Sequence, residues 1–549
     1  MASVSKRAIK KFSFFAQGCH VARRKRRPTC RAAAESRIFM QRSILLFIVF
    51  AFALLLVPPN LNAAPERPAS NVAAPLTLQA VAGKIDRQVL ASLQRGERTR
   101  ALIVLAQQAD VSAAKNLRTK AEKGAYVFNA LRATAAQTQP EMRRALDQLG
   151  LSYRAYYVVN LFAVENLNAA AAIQLAARPE VGYIEGNPDV EFAQPTPSQA
   201  AAPESVNGVE WGIRKIRADK MWELGFKGQD IVVANQDTGV QWDHPALKNK
   251  YRGYDKTTGK AKHSYNWWDA IHHTIGGGAN PCGVNIKKPC DDNDHGTHTM
   301  GTIVGGKGAN KIGVAPGAKW ISCRNMDRGV GRPNTYIECF EFFLAPWNRK
   351  GQNPDPAKAP DVVSNSWGCP TSEQCAPNSI LTATENVRAA GIFVSVSAGN
   401  SGPGCSTVTD PSAIYDVATT IGATNAADAL ASFSSRGPVT ADNSNRRKPD
   451  ISAPGVNVRS SVPQNSYANF DGTSMAAPHV AGAVALLWQA KPALRGDVDA
   501  TETLLFNSAF TGVSVANNLT CGGTAPTDIP NNLFGYGRLD IYNAYQSAP

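Results

Sequence analysis

Beyond one run of 14 apolar residues, Ile44 to Val57, the chain has no long hydrophobic stretch. Even that run falls short of the ~20 apolar residues a membrane-spanning helix needs. A polytopic membrane protein is therefore excluded. The ten cysteines include no CxxC pair, so the common spacing of a structural zinc site is missing. No internal repeat is visible, which argues against a solenoid. Acidic residues are nearly absent from one region: residues 1–39 hold 11 Lys/Arg and a single acidic residue. Residues 201–549 hold 31 basic and 30 acidic residues. The formal charge of +15 thus belongs to the leader, and nucleic-acid binding loses its main support.

At 549 residues the chain exceeds one typical domain, and two folded units plus leaders are expected. Met40-Gln41-Arg42-Ser43, the apolar run and Leu61-Asn62-Ala63-Ala64 read as a secretory signal peptide over residues 40–63. On that reading Met40 is the true start, and residues 1–39 are a mis-assigned basic prefix. A Pro/Ala-rich spacer runs to about Leu76. An apolar strand, Ala101 to Leu105, precedes a helical stretch, Ala113 to Leu149. Strands Ala155 to Val159 and Leu161 to Val164, a helix Ala169 to Ala177 and a strand Val181 to Glu185 follow. Strand, helix, two strands, helix, strand is the order of a small α+β ferredoxin-like fold. The stretch Ala193 to Pro203 is rich in Ala, Pro, Gln and Ser, as suits an exposed, cleavable linker. Residues 64–195 and 196–549 are the expected folded parts.

From Trp211 onward apolar strands alternate with helical segments. Such a pattern predicts a doubly wound, mostly parallel sheet flanked by helices, with the site beyond the strands' carboxyl ends. Asp237, Ser366 and Asn400 each come just after a strand-like run. The run Met475 to Leu487 is too apolar all round for a surface helix, and Ser474 stands at its first turn. There free N–H groups point outward and the dipole favours negative charge.

Three blocks carry the strongest signal: Asn235-Gln236-Asp237-Thr238-Gly239, Asp294-His295-Gly296-Thr297-His298 and Gly472-Thr473-Ser474-Met475-Ala476-Ala477-Pro478-His479. In these the chain resembles the subtilisin-like serine peptidases, whose triad follows the order Asp, His, Ser. The segments Ser366-Trp367-Gly368-Cys369-Pro370 and Gly399-Asn400-Ser401-Gly402-Pro403-Gly404-Cys405 look most like the bacillopeptidase F branch. The resemblance implies Ser474 as nucleophile, His295 as general base and acid, and Asp237 as the carboxylate orienting the imidazole. His298, three residues on, is expected to pack behind the site. Asn400 matches the oxyanion-hole asparagine. Ser366, Trp367, Gly368, Ala398 and Gly399 match segments that bind the substrate as an added strand and wall its specificity pocket. Ser401 offers no carboxylate beside that pocket, which favours large apolar or mixed P1 residues.

The same resemblance implies a secreted, extracellular endopeptidase made as an autoprocessed zymogen. Its partners would be protein and peptide substrates and its own propeptide, with no membrane after signal cleavage and a monomeric state. No cofactor is expected for catalysis. Structural calcium stays possible but unlocated, because Ala246 replaces the aspartate that many relatives use as a ligand. Eight cysteines follow the signal, and export makes disulfides the default. Cys282 with Cys290 and Cys369 with Cys375 are close enough to close small loops, while Cys323, Cys339, Cys405 and Cys521 are unassigned. A metal site from Cys282, Cys290, His295 and His298 is the rival reading. An α/β-hydrolase esterase would need Gly-x-Ser-x-Gly, but Ala476 stands where the second glycine belongs. A scaffold-only binding protein would have lost a triad member.

Overall fold

The structure is a computed structural model that describes residues 76–192, 194–198, 208–276 and 278–548. The basic prefix, the signal peptide and most of the spacer lie outside the described residues.

The first layer is a four-stranded antiparallel sheet: β1 (Thr99–Leu105), β2 (Tyr153–Tyr156), β3 (Leu161–Leu167) and β4 (Val181–Gly186), in the order β2-β3-β1-β4. The helices Lys120–Gln148 and Ala169–Ala176 complete the expected ferredoxin-like arrangement. Two expectations shift. The long helix starts at Lys120 rather than near Ala113, because Thr119 and Glu122 form a reciprocal capping box there. The strand expected over Ala155 to Val159 ends at Tyr156. Tyr157 and Val158 turn their N–H groups away from the sheet to the Glu341 carboxylate, at 2.5 and 2.9 Å.

Two short strands follow, β5 (Val190–Glu191) and β6 (Thr196–Pro197). The main sheet is built from β7 (Val232–Asp237), β8 (Trp267–Asp269), β9 (Lys319–Arg324), β12 (Val362–Asn365), β13 (Phe393–Ser397), β14 (Thr419–Thr424) and β15 (Ile451–Pro454). The intervening β10 (Met326–Asp327) and β11 (Val330–Gly331) pair with each other and with β5. The seven strands are parallel, in the order β15-β14-β13-β12-β7-β9-β8. β16 (Val458–Val462) and β17 (Ser466–Asp471) form a hairpin beside them.

The strands of a sheet covered on both faces should be apolar throughout, and every residue of β12, β13, β14 and β15 is buried. The helix Thr473–Ala490 is buried from Thr473 to Trp488 and lies against this sheet. Pro478 is tolerated close to its start, where N–H groups lack intrahelical partners. On the other face the helix Pro333–Leu344 carries two buried carboxylates toward the ferredoxin-like layer. Glu338 receives Arg154 at 3.2 Å, Tyr156 Oη at 3.1 Å, Trp268 Nε1 at 2.7 Å and His272 Nε2 at 2.7 Å. Burial alone would keep Glu338 protonated. The His272 and Arg154 charges reverse that and hold it below the usual carboxylate range.

Four disulfides join Cys282–Cys290, Cys323–Cys339, Cys369–Cys375 and Cys405–Cys521. The two local pairs are those expected from spacing, and the pairing of Cys282 with Cys290 removes the rival metal site. Cys405–Cys521 spans 116 residues, so it constrains the unfolded chain more than the others. Replacing both of its cysteines with alanine should lower stability by about 2–5 kcal/mol. Calorimetry of the double variant against the parent protein checks this; an unchanged melting temperature would contradict it.

Candidate active site

Asp237 is the last residue of β7, at the carboxyl edge of the sheet. His295 is the first residue of the helix His295–Val304, and Ser474 is the second of the helix Thr473–Ala490. The sheet edge and the helix start thus bring together Asp237 and His295, 58 positions apart, and the helix that bears Ser474 packs against the helix that begins at His295. His295 Nδ1 lies 2.7 Å from Asp237 Oδ1. A carboxylate can only accept, so Nδ1 carries the proton and Nε2 is the basic nitrogen. That Nε2 is buried without a hydrogen-bond partner among the described residues. Asp237 is further fixed by the Thr238 N–H at 2.7 Å and Thr299 Oγ1 at 3.1 Å.

Asn400 lies three residues past the end of β13. Its Oδ1 accepts from the Thr473 N–H and Thr473 Oγ1, each at 2.9 Å. With the carbonyl end anchored beside the first turn of the Ser474 helix, Nδ2 remains to donate. Ser366 Oγ donates to the Ser474 carbonyl at 3.3 Å. Trp367 stacks on Tyr336 with centroids 4.0 Å apart. Ala398 is buried, and its N–H donates to Ile421. Gly399 adopts φ +98°, and its N–H donates to Thr473 Oγ1 at 3.2 Å. A left-handed backbone of this kind is strained for any residue with a β-carbon.

His298 has a different environment. Its Nε2 lies 3.0 Å from the Val458 carbonyl and 3.2 Å from the Ala468 carbonyl, and its ring stacks on Phe470. Burial, aided by the His295 charge, pushes it down to about 3. It is a neutral clamp between the helix and the β16–β17 hairpin.

The chain itself occupies the cleft. Glu191 and Val190 pair antiparallel with Val330 and Gly331, and the Phe192 N–H donates to Gly329 at 2.8 Å. The Phe192 ring packs edge-on against His295, centroids 4.4 Å apart. Further along, Thr196 and Pro197 pair with Asp471 and Phe470, immediately before Gly472-Thr473-Ser474. The chain therefore arrives at His295 along β11 and departs along β17.

Two residues escaped the sequence reading. Asp291 is pushed up to about 6 by burial, and hydrogen bonds from Thr297 and Thr238 oppose the shift. Its carboxylate accepts from the Thr297 N–H at 2.8 Å, Thr297 Oγ1 at 2.5 Å and Thr238 Oγ1 at 2.8 Å. It thereby does the capping that Asp294, in a left-handed conformation with no side-chain cap, does not do. Asp410 is the second: its carboxylate stands against Gly368 and Gly399, whereas the sequence reading looked for a charge at Ser401. Ala246 is buried, and no cluster of three or more His, Cys, Asp or Glu able to hold a metal exists among the described residues.

Comparison with known proteins accords with this geometry. The profile of the Subtilase family matches residues 228–537. The chain belongs to the subtilase family. It is 37% identical over 503 residues to Bacillopeptidase F of Bacillus subtilis (strain 168), covering 85% of this chain and 32% of that protein. The chain therefore spans about a third of that relative's length. Subtilisin E of the same organism is 26% identical over 400 residues, 71% of this chain and 88% of its own. The Major intracellular serine protease of that strain is 32% identical over 291 residues, 51% of this chain and 76% of its own.

Because Asp291 fixes the turn that presents His295, Asp291→Ala should misplace the imidazole. A lowering of kcat by about 10- to 100-fold with little change in KM is expected for displacements near 1 Å. Steady-state kinetics on a peptide amide check this; a change confined to KM would contradict it.

Proposed function

We propose that this subtilase is a secreted serine endopeptidase that hydrolyses peptide bonds of proteins, with Ser474 as nucleophile. Ser474 Oγ attacks the scissile carbonyl and passes its proton to His295 Nε2, the nitrogen left unprotonated by the bond to Asp237. Asp237 then stabilises the imidazolium. The oxyanion is received by Asn400 Nδ2 and the Ser474 N–H at a helix N-terminus. His295 returns the proton to the leaving amine, a peptide product departs, and water activated by the same imidazole hydrolyses the acyl-enzyme. No cofactor takes part in these steps.

The observation that supports this reading is the pairing of Val190 and Glu191 with β11 and of Thr196 and Pro197 with β17, as added strands. It is the binding mode of an extended peptide substrate. Residues 64–195 are read on that basis as an inhibitory propeptide, and residues 196–549 as the peptidase. Phe192 abuts His295, and Gln194 Nε2 lies near Gly329. The bond following Ala193 is then the one proposed for cleavage, two residues before the boundary at 195. The four disulfides support an oxidising, extracellular location. No described helix is long and apolar enough to cross a membrane.

Ser474→Ala should abolish both fluorophosphonate labelling and casein hydrolysis and leave the precursor uncut. The parent protein, expressed in a host lacking other proteases, should yield a mature N-terminus at Gln194 on Edman sequencing. A mature-sized Ser474→Ala product would refute self-processing. His295→Ala should be equally inert, whereas His298→Ala should keep measurable turnover; the reverse pattern would move the base to His298.

A further inference from the structure

We infer that Asp410 is the specificity-determining residue of the P1 pocket and that this pocket takes a lysine or arginine side chain. The inference rests on the peptidase reading above and names the substrate class of that same site.

On the peptidase reading, the segments that hold Gly368 and Gly399 wall the pocket that receives the P1 side chain. A β-carbon on Gly368 would lie 2.6 Å from the Asp410 carboxyl carbon and 2.7 Å from its Oδ2. One on Gly399 would lie 3.4 Å from the same Oδ2. The carboxylate therefore stands against both glycines, with Ser435 Oγ beside it at 2.9 Å from the same β-carbon position on Gly399. Both walls are glycine, so the carboxylate is approached by bare backbone on two sides.

What distinguishes Asp410 is that no side chain or backbone N–H among the described residues bonds its carboxylate, whereas Asp291, which also lacks a cation, is held by Thr297 and Thr238. The other buried aspartates of this region are bonded: Asp237 to His295, Asp269 and Asp292 to Arg324, and Asp361 to Arg495. No hydrogen bond or ion pair reaches the half-buried Asp410 carboxylate among the described residues. Two titratable groups face it. Glu373 is a like charge, and the Tyr336 phenol is pushed far up by its own burial and the charges of Glu373 and Asp410. Burial, and then the Glu373 charge, push Asp410 up to about 7. A carboxylate held this way carries a desolvation cost that a partner of opposite charge would offset. The protein provides none, so the substrate must. An arginine or lysine entering between Gly368 and Gly399 would bring the missing cation into a charge-assisted hydrogen bond.

The chain's own segment is compatible with this. Ala193 follows Phe192 and has only a methyl group to present at P1. Cleavage within one molecule relies on effective concentration rather than on P1 affinity, so a poor P1 residue suffices there and its product leaves readily.

The test uses the processed full-length protein, quantified by fluorophosphonate titration, and peptide p-nitroanilides that differ only at P1 (Arg, Lys, Phe, Leu, Ala, Glu). Arg and Lys should exceed Phe in kcat/KM by about 10-fold or more, as expected for a charge-assisted contact. Asp410→Asn should lower kcat/KM for the Arg substrate by about 10- to 100-fold, and the Arg-to-Phe ratio should fall with it. Because only the ionised acid attracts the cation, the Arg-to-Phe ratio should rise from about pH 6 to about pH 8.5 in the parent protein and stay flat in Asp410→Asn. Should Asp410→Asn fail to mature, the parent protein's ratio at the two pH values decides. A preference for Phe or Leu, or an Arg preference untouched by Asp410→Asn, overturns the inference while leaving the peptidase reading intact. Absence of labelling and of all hydrolysis overturns both.

Discussion

The hydrogen bond from His295 Nδ1 to Asp237 Oδ1 is made by two side chains that water does not reach, and most of the site depends on it. It fixes which imidazole nitrogen is basic, and it works only while the sheet edge and the helix start are held in register. That register is maintained by polar contacts outside the pair: Thr299 and Thr238 on Asp237, Asp291 on Thr297, and Asn235 Nδ2 on the Gly296 carbonyl at 2.9 Å. Buried hydrogen bonds of this kind are costly to leave unmade. The geometry is therefore a property of the whole network.

What could be read from the sequence was what is local. Asp237, His295, Ser474 and Asn400 each stand in a contiguous motif of the sequence, and the first two meet at 2.7 Å. The alternation of apolar strands and helices likewise identified the parallel sheet, because covering both faces forces continuous burial. Asp291 was hidden because its role depends on a loop folding back onto the helix it precedes. Asp410 was hidden for a stronger reason: nothing within its neighbourhood in sequence shows that Gly368, some forty residues earlier, lies against its carboxylate. The pairings Cys323–Cys339 and Cys405–Cys521 were illegible for the same cause. The strand anticipated over Ala155 to Val159 failed because a side chain from another element, Glu341, outcompeted the sheet for two N–H groups.

The layer formed by β1 to β4 does not merely sit beside the main sheet. Its core residues Leu102, Tyr157 and Leu161 belong to one apolar cluster with Ile337, Phe340 and Val387. Glu338 and Glu341 reach across to it, the first toward Arg154 and the second toward two backbone N–H groups. Burial pushes Glu341 up to about 8, against those hydrogen bonds. Its removal would uncover both carboxylates and a broad apolar face together, so separation of the two parts is opposed by both kinds of interaction at once.

The bridge from Cys405 to Cys521 encloses Asp410, the β16–β17 hairpin and the helix bearing Ser474. Under the proposed function the protein is exposed to cuts by its own kind, and its loops are where such cuts fall. A single nick in the exposed turn at Asn443 or in the tip near Gln464 and Asn465 would leave two pieces still covalently joined. The pieces would remain at the high effective concentration of one molecule, with the sheet and helices between them undisturbed. The bridge thus makes a broken backbone survivable, a benefit felt only after damage and invisible in the stability of the intact fold.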